Sequence, residues 1–413
     1  MQTLTKNKQY YKFCFYGFLK NLRFFDAFFI LYLIEKGLPY TQIGLLYAIR
    51  EIIVNVFEIP SGIIADTYGR KSSLVFSFLI SIISFTFFYF SDNFWLFLIA
   101  FALYGIADAF RSGTHKGMIM SYLEQNNWQN QKINYYGHTR SWSQKGSAIS
   151  SLIAGLIVFY TGSYGNIFLY SIVPYIVNFF LILSYPKELN ISTKQNLSKK
   201  GYNVISVFKS FIKTITQSNV LKIINTSALH SAYIKSVKDY IQPIMISFIA
   251  IIPFLQNVET AKKNGLFIGI LYFIIYLITS QASKFSFFIE NRRQKNIAYI
   301  TLLFGFSFGI ISGLFYIYDM WIFSILSFVG IYIIENIRKP ILTAYVADNV
   351  PNEILTSVMS AQSQLKTLIT AILAFVFGLL ADSLNIGIAF ILISLFLMAT
   401  SIYSFLTKNK NLT

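Results

Sequence analysis

Charged residues are scarce in this sequence. Asp, Glu, Lys and Arg make up 12% of its 413 residues against 55% apolar ones, and the mean hydropathy is +0.56. So few charges cannot cover that much apolar surface in water, which excludes an ordinary soluble protein. Acids are scarcer still, 17 against 34 Lys plus Arg, for a net charge of +17. The basic excess lies in short polar breaks and inside apolar runs rather than along one stripe, so nucleic acid is excluded as a partner. The single cysteine, Cys14, has no second thiol in the chain to pair with. There are 3 histidines, with no pair at metal-ligand spacing, no nucleophile motif and no G-x-x-x-x-G-K-[ST] phosphate loop. The expectation is a protein that is not an enzyme and that has no cofactor, no catalytic residue and no metal.

What the sequence has in abundance is long apolar runs. At roughly 20 residues per crossing they read as twelve spans, near 12–34, 41–65, 72–91, 93–122, 135–160, 164–185, 219–250, 264–290, 296–317, 320–347, 355–381 and 385–406. The runs are continuous and lack the alternation of a membrane barrel. The expected fold class is therefore an all-α polytopic membrane protein with 12 transmembrane helices in two pseudo-symmetric six-helix bundles. The bundles are 1–185 and 219–413, joined by a central loop, 186–218, in which 204–216 reads equally as an interfacial amphipathic helix or as the start of the seventh span. Basic residues of both termini, Arg70, Lys71, Lys132 and Lys187 fall on one side, and only Lys36, Lys262 and Lys263 on the other. By the positive-inside rule both termini are cytoplasmic, and the first span is a retained anchor. A multi-pass protein of the cell (inner or plasma) membrane is expected, surrounded by lipid bilayer.

Between the second and third spans runs Gly62-Ile-Ile-Ala-Asp66-Thr-Tyr-Gly69-Arg70-Lys71. Gly62 suits a close helix approach, Asp66 an acceptor for amides at a helix start, Gly69 the turn, and Arg70 with Lys71 the cytoplasmic side. A basic turn alone accounts for Arg70 and Lys71 but not for the spacing of Gly62, Asp66 and Gly69. That spacing resembles the G-x-x-x-D-x-x-G-R-K signature loop of the major facilitator superfamily, preceded here by Glu58-Ile-Pro60-Ser. The resemblance covers essentially the whole chain and implies a carrier in which Asp66 and Arg70, clustered with a neighbouring helix end, stabilise one access state. The corresponding loop of the second half, Lys284 to Lys295, lacks the pattern. The fifth span, around Lys145-Gly146, lacks the Gly-Pro pair of the family's drug antiporters.

Charges inside the spans carry the functional reading. Lys20, Arg23, Arg111, Lys145, Lys235, Lys238, Arg338 and Lys366 fall near mid-span. At roughly 3 kcal/mol each, facing lipid would cost them more than about 20 kcal/mol together. At i,i+3 spacing Lys20 shares a helix face with Arg23, Lys235 with Lys238, Asp108 with Arg111, and Glu335 with Arg338. These matches fall at corresponding spans of the two halves, a repeat seen again in Gly155-Leu and Gly378-Leu. Pairing within a helix accounts for Asp108 and Glu335 as well as function does. Asp26, Glu51, Asp108, Asp239 and Glu335 are too few to absorb the bases, however, so a residual positive cavity is expected, favouring an anion. Asp26, Glu51, Asp108, Asp239 and Glu335 are also the candidate coupling groups, and His115, His138 and His230 are candidates to carry protons or to be packing residues. Organophosphate exchangers of the superfamily clamp phosphate between basic residues of the first and seventh helices, which by resemblance points to Arg23 and Lys238. Gln362 with Lys366, and Ser141 with Lys145, are further cavity candidates, and Tyr16, Tyr104 and Tyr240 lie near the charged faces. The expected function is secondary active transport of a small, anionic organic solute by alternating access, as a monomer, with protons or a counter-anion as co-substrate. Proton-coupled multidrug efflux is the alternative, followed by a non-transporting receptor and an intramembrane enzyme.

Overall fold

Hydrocarbon offers no hydrogen bonds to a backbone, so an apolar segment must satisfy its own N–H and C=O groups. The computed structural model describes residues 5–190, 218–253, 257–289, 294–349 and 352–410, and every regular element among them is helical. Most of the expected central loop (191–217, including the stretch 204–216) and residues 290–293 of the second-half loop lie outside the described residues.

The elements are α1 (Lys8–Lys20), α2 (Phe29–Glu35), α3 (Tyr40–Tyr68), α4 (Arg70–Phe90), α5 (Phe94–Arg111), α6 (Thr114–Gln125), α7 (Lys132–Thr161) and α8 (Asn166–Leu183). They continue with α9 (Ser218–Val237), α10 (Ile241–Ala250), α11 (Thr260–Ile289), α12 (Gln294–Ile317), α13 (Trp321–Asn349), α14 (Asn352–Ser383) and α15 (Ile386–Lys410). Among the described residues, 8 helical segments are long and apolar enough to cross a membrane, in α4, α5–α6, α8 and α11 to α15. Of the remaining expected spans, the first and the seventh are broken into shorter helices. A 3₁₀ turn, Phe24–Ala27, separates α1 from α2 beside Arg23, and another, Lys238–Tyr240, separates α9 from α10. α3 carries Arg50, Glu51 and Glu58, and α7 carries Arg140 and Lys145.

The chain forms two compact units. One comprises Met1–Lys36, Ile49–Gly201 and Phe254–Tyr276, and the other Gly37–Ala48, Tyr202–Pro253 and Leu277–Thr413. Within the first, α4 turns a row of buried serines toward α5. Ser73 donates to the Phe110 carbonyl (3.2 Å), Ser77 to Ala107 (2.6 Å) and Ser84 to Ala100 (2.8 Å). Phe90, Trp95, Phe180, Phe304 and Phe396 meanwhile stand exposed. Polar groups inside and large apolar groups outside is the polarity expected when lipid is the solvent, because apolar contact alone gives no preference for a helix over a lipid tail. α7 and α11 approach at Gly155, where a Cβ would lie 2.9 Å from the Gly269 Cα.

In the second unit, Ser312 of α12 and Ser324 of α13 each donate to the other's carbonyl, at 3.0 and 2.9 Å. The start of α3 is capped from α14, with the Tyr40 and Thr41 amides donating to the Asp382 carboxylate at 2.9 and 2.6 Å. A carboxylate there satisfies two orphan amides and complements the helix dipole.

Ser77→Ala, which removes one interhelical hydrogen bond, is expected to cost about 0.6 kcal/mol. Ser77→Leu, which also overfills the contact with α5, should cost about 1–3 kcal/mol. Thermal melting in detergent orders the two variants, and equal melting temperatures would show that the contact is not tightly packed.

Candidate functional site

The first expected span is interrupted where its charges begin. α1 ends at Lys20, and Asn21 closes it by donating from Nδ2 to the carbonyls of Gly17 and Ser143, both at 3.0 Å. Arg23 then pairs with Asp26 at 2.8 Å and donates to the Tyr104 hydroxyl of α5, also at 2.8 Å. The Tyr104 ring carries the guanidinium of Arg50 from α3 at 4.4 Å. Arg50 forms a short ion pair with Asp108, which bonds on its other oxygen to Arg111, and lies 3.8 Å from the Glu51 carboxylate. Glu51 is 2% exposed and Tyr104 3%. The Lys20 ammonium sits 5.9 Å from the ring of Tyr16, which stacks on His115 at 3.6 Å.

Lys20, Arg23, Arg50 and Arg111 thus stand against Asp26, Glu51 and Asp108 in one unit. Removing such charges from water is costly unless each gains a partner, and the pairs meet that condition. Three donors are left over. The Nε of Arg23, the Nε of Arg50 and the Tyr16 hydroxyl are buried with no hydrogen-bond partner among the described residues. Arg23 and Asp26, with Asn21, Ser147, Ser150 and Tyr276, line a cavity of about 10 Å³, at the lower limit for one water molecule. The chemistry of the cluster is that of an acceptor-seeking, cation-rich surface.

The second unit gathers the other candidates. Lys238 pairs with Asp239 at 2.8 Å, and Asp239 accepts from the Tyr47 hydroxyl at 3.1 Å. Glu335 of α13 reaches across to α9, accepting from Ser231 at 2.6 Å and facing His230 Nδ1 at 2.8 Å, with Lys339 at 3.6 Å. Arg338, fully buried, donates to the Thr301 hydroxyl (2.7 Å) and the Thr226 carbonyl (3.0 Å). Of the two expected bonds within a helix, Asp108 makes the one to Arg111, while Glu335 and Arg338 bond groups of neighbouring helices. Lys235 and Lys366 are half-buried in the same unit. Lys145 is exposed on α7 with its ammonium 5.5 Å from the Trp142 ring, because the packed face of α7 is that of its neighbour Gly146. His115 faces the Tyr185 hydroxyl at 3.3 Å, and His138 faces that of Tyr10 at 3.3 Å.

The signature loop is built partly as expected. Gly69, at φ +103°, starts α4 in a backbone region glycine enters without strain. Arg70 lies 3.4 Å from Asp66 and donates to Ser121 of α6 at 2.7 Å, while Lys71 donates to the carbonyls of Leu183 (2.8 Å) and Tyr185 (2.7 Å). Two expectations are corrected. Gly62 is exposed and a Cβ there would meet nothing within 4 Å among the described residues, so it serves no close approach between them. The acceptor at the start of α4 is Asn190, taking the Lys71 amide at 3.1 Å and that of Ser72 at 3.3 Å, while Asp66 faces Arg70.

Sequence reasoning missed Arg50 and Asn190. Arg50 was detectable as a mid-span charge next to Glu51, whereas nothing local marks Asn190 as a cap for a helix beginning at Arg70.

An all-helical chain with apolar helices facing outward and ion pairs turned inward has the build of a multi-pass membrane transporter. The family model described as Major Facilitator Superfamily matches residues 14–368, and the chain belongs to that family. The uncharacterized MFS-type transporter YxaM of Bacillus subtilis (strain 168) is 24% identical over 390 residues, covering 94% of this chain and 92% of the relative. Among solved structures, a variant of the nucleoside transporter NupG superposes with a TM-score of 0.78 at 14% identity, over 96% of this chain and 99% of that one. A POT family transporter in complex with 5-aminolevulinic acid gives a TM-score of 0.73 at 13% identity, over 98% and 96%. The protein is a multi-pass secondary transporter, as the signature loop implied.

Arg50→Leu, which leaves Asp108 with Arg111 alone, is expected to destabilise the protein by about 3–5 kcal/mol. The double variant Arg50→Leu/Asp108→Leu should recover part of that loss, read from melting temperatures in detergent. A double variant less stable than the sum of the single ones would show that Arg50 acts through Tyr104 rather than through the ion pair.

Proposed function

We propose that this transporter moves a small anionic organic solute by alternating access. In this reading twelve spans form two six-helix halves, 1–185 and 219–413, joined by 186–218, and the protein works as a monomer with both termini in the cytoplasm of the cell membrane. One observation carries the choice of an anion. In the Tyr104 cluster the bases outnumber the acids, and two guanidinium Nε donors are buried without an acceptor among the described residues. Among the mid-span charges of the second unit, Lys235, Lys238, Arg338 and Lys366 likewise exceed Asp239 and Glu335. A phosphate or carboxylate oxygen is the acceptor such donors fit, with Arg offering a fork and Lys a point charge.

Multidrug efflux is the second reading. It is favoured by the extent of internal pairing, since Arg23 holds Asp26 while Arg50 and Arg111 share Asp108.

A panel of phosphorylated sugars, inorganic phosphate, dicarboxylates, anionic metal chelates and lipophilic cations separates the two by thermal stabilisation at fixed ionic strength. One anion class present at 100 times its Kd is expected to stabilise the purified protein by about 2.7 kcal/mol. Stabilisation by lipophilic cations alone would favour efflux. Neutralising Arg23 or Lys238 should abolish binding of that anion in a protein that still folds, and unchanged affinity in both variants removes them from the site. Asp66→Asn and Arg70→Gln should instead slow uptake into liposomes with affinity nearly unchanged, since that cluster acts on the access switch.

A further inference from the structure

We propose that His230 and Glu335 form a proton-binding site of this transporter. Of the five candidate coupling carboxylates, Asp26, Glu51 and Asp108 face guanidinium groups. Arginine does not give up its proton in proteins, so these three carboxylates sit against partners of fixed charge. Asp239 faces the Lys238 ammonium. Glu335 faces an imidazole, whose charge changes near neutrality.

The geometry assigns each proton. Glu335 takes the Ser231 hydroxyl on one oxygen and His230 Nδ1 on the other. With Arg338 and Lys339 on the same helix and Lys339 at 3.6 Å, Glu335 is placed as the acceptor and Nδ1 carries the hydrogen of the shared bond. Nε2 is left with its lone pair, buried and without a hydrogen-bond partner among the described residues. It abuts α12 at Gly305, where a Cβ would collide with it. On α12 the neighbouring Thr301 and Phe306 are not titratable; α9 itself adds Tyr233 and Lys235, and α14, which also packs on α9, carries Lys366.

Loading adds one proton to Nε2 and changes the pair from carboxylate with neutral imidazole to carboxylate with imidazolium, a net charge from −1 to 0. A charged N–H pressed against Gly305 would have no acceptor, and a buried unsatisfied charged donor is costly. The described packing of α9 on α12 is therefore that of the unloaded pair, and loading favours a packing that gives Nε2 water or an oxygen. Proton binding is linked in this way to helix movement. The coupling role rests on the transporter reading above, whereas proton binding itself is measured without any solute.

The chain has 3 histidines, so ¹⁵N-histidine NMR of the full-length protein in lipid bilayers, assigned with His115→Gln and His138→Gln, isolates His230. Between about pH 8 and pH 5 its signal is expected to pass from the neutral Nδ1–H tautomer to the doubly protonated ring. Glu335→Gln should lower the midpoint by about one pH unit or more. A ring that stays neutral to the bottom of that range, or a midpoint unmoved by Glu335→Gln, overturns the proposal. The wild-type spectrum suffices if that variant does not fold, because an Nε2–H tautomer at high pH is incompatible with the assignment. A protein whose His230 titrates but which no anion of the panel stabilises keeps the proton site and loses the anion reading. The converse result keeps the anion reading and loses the proton site.

Discussion

The ion pair between Arg50 and Asp108 is the contact on which the first unit depends. It joins α3 to α5 with each of the two side chains 13% exposed, and it draws in Arg111, Glu51 and, through Tyr104, Arg23. A buried pair of this kind adds little net stability over an apolar one, but losing either member leaves an uncompensated charge. The cluster thus specifies how three segments meet more than it strengthens them. The same constraint bears on the breaks between α1 and α2 and between α9 and α10, where a 3₁₀ turn lets Arg23 and Asp26, or Lys238 and Asp239, pair locally.

Around these charges the helices are held by contacts suited to lipid. Serine hydroxyls of α4 reach carbonyls of α5, Ser312 and Ser324 exchange bonds between α12 and α13, and Gly155 meets Gly269 at backbone distance. Small residues permit close approach, and hydroxyls supply direction where hydrophobic burial supplies none. The ends of the helices are handled by polar caps from elsewhere in the chain, Asp382 for α3 and Asn190 for α4. The second cap is joined by Lys71, bonded to the carbonyls of Leu183 and Tyr185, so the signature loop is tied to the end of α8.

Two kinds of acid emerge from this arrangement. Some carboxylates face arginine, a partner of fixed charge, whereas Glu335 faces His230, a side chain of the type whose charge changes near neutrality. In sequence the five candidates looked alike, because each is an acid in an apolar run. The partner across the interface is what separates them.

The sequence by itself determined the membrane class, the helical architecture and the family. Long apolar runs leave the backbone no alternative to helix, and the Gly62 to Lys71 spacing is a local signature. It also located most of the buried charges, since a charge within such a run must turn inward wherever it lies. Only the tertiary structure decided which charge meets which. Arg50 and Asp108 are 58 residues apart, Lys71 and Asn190 119, and His230 and Glu335 105. Periodicity says which side chains share a face of one helix, but not which helix lies opposite. Glu335 crossing to His230 and Asn190 displacing Asp66 as the cap of α4 follow from packing alone, as does Lys145 remaining on the exposed face of α7.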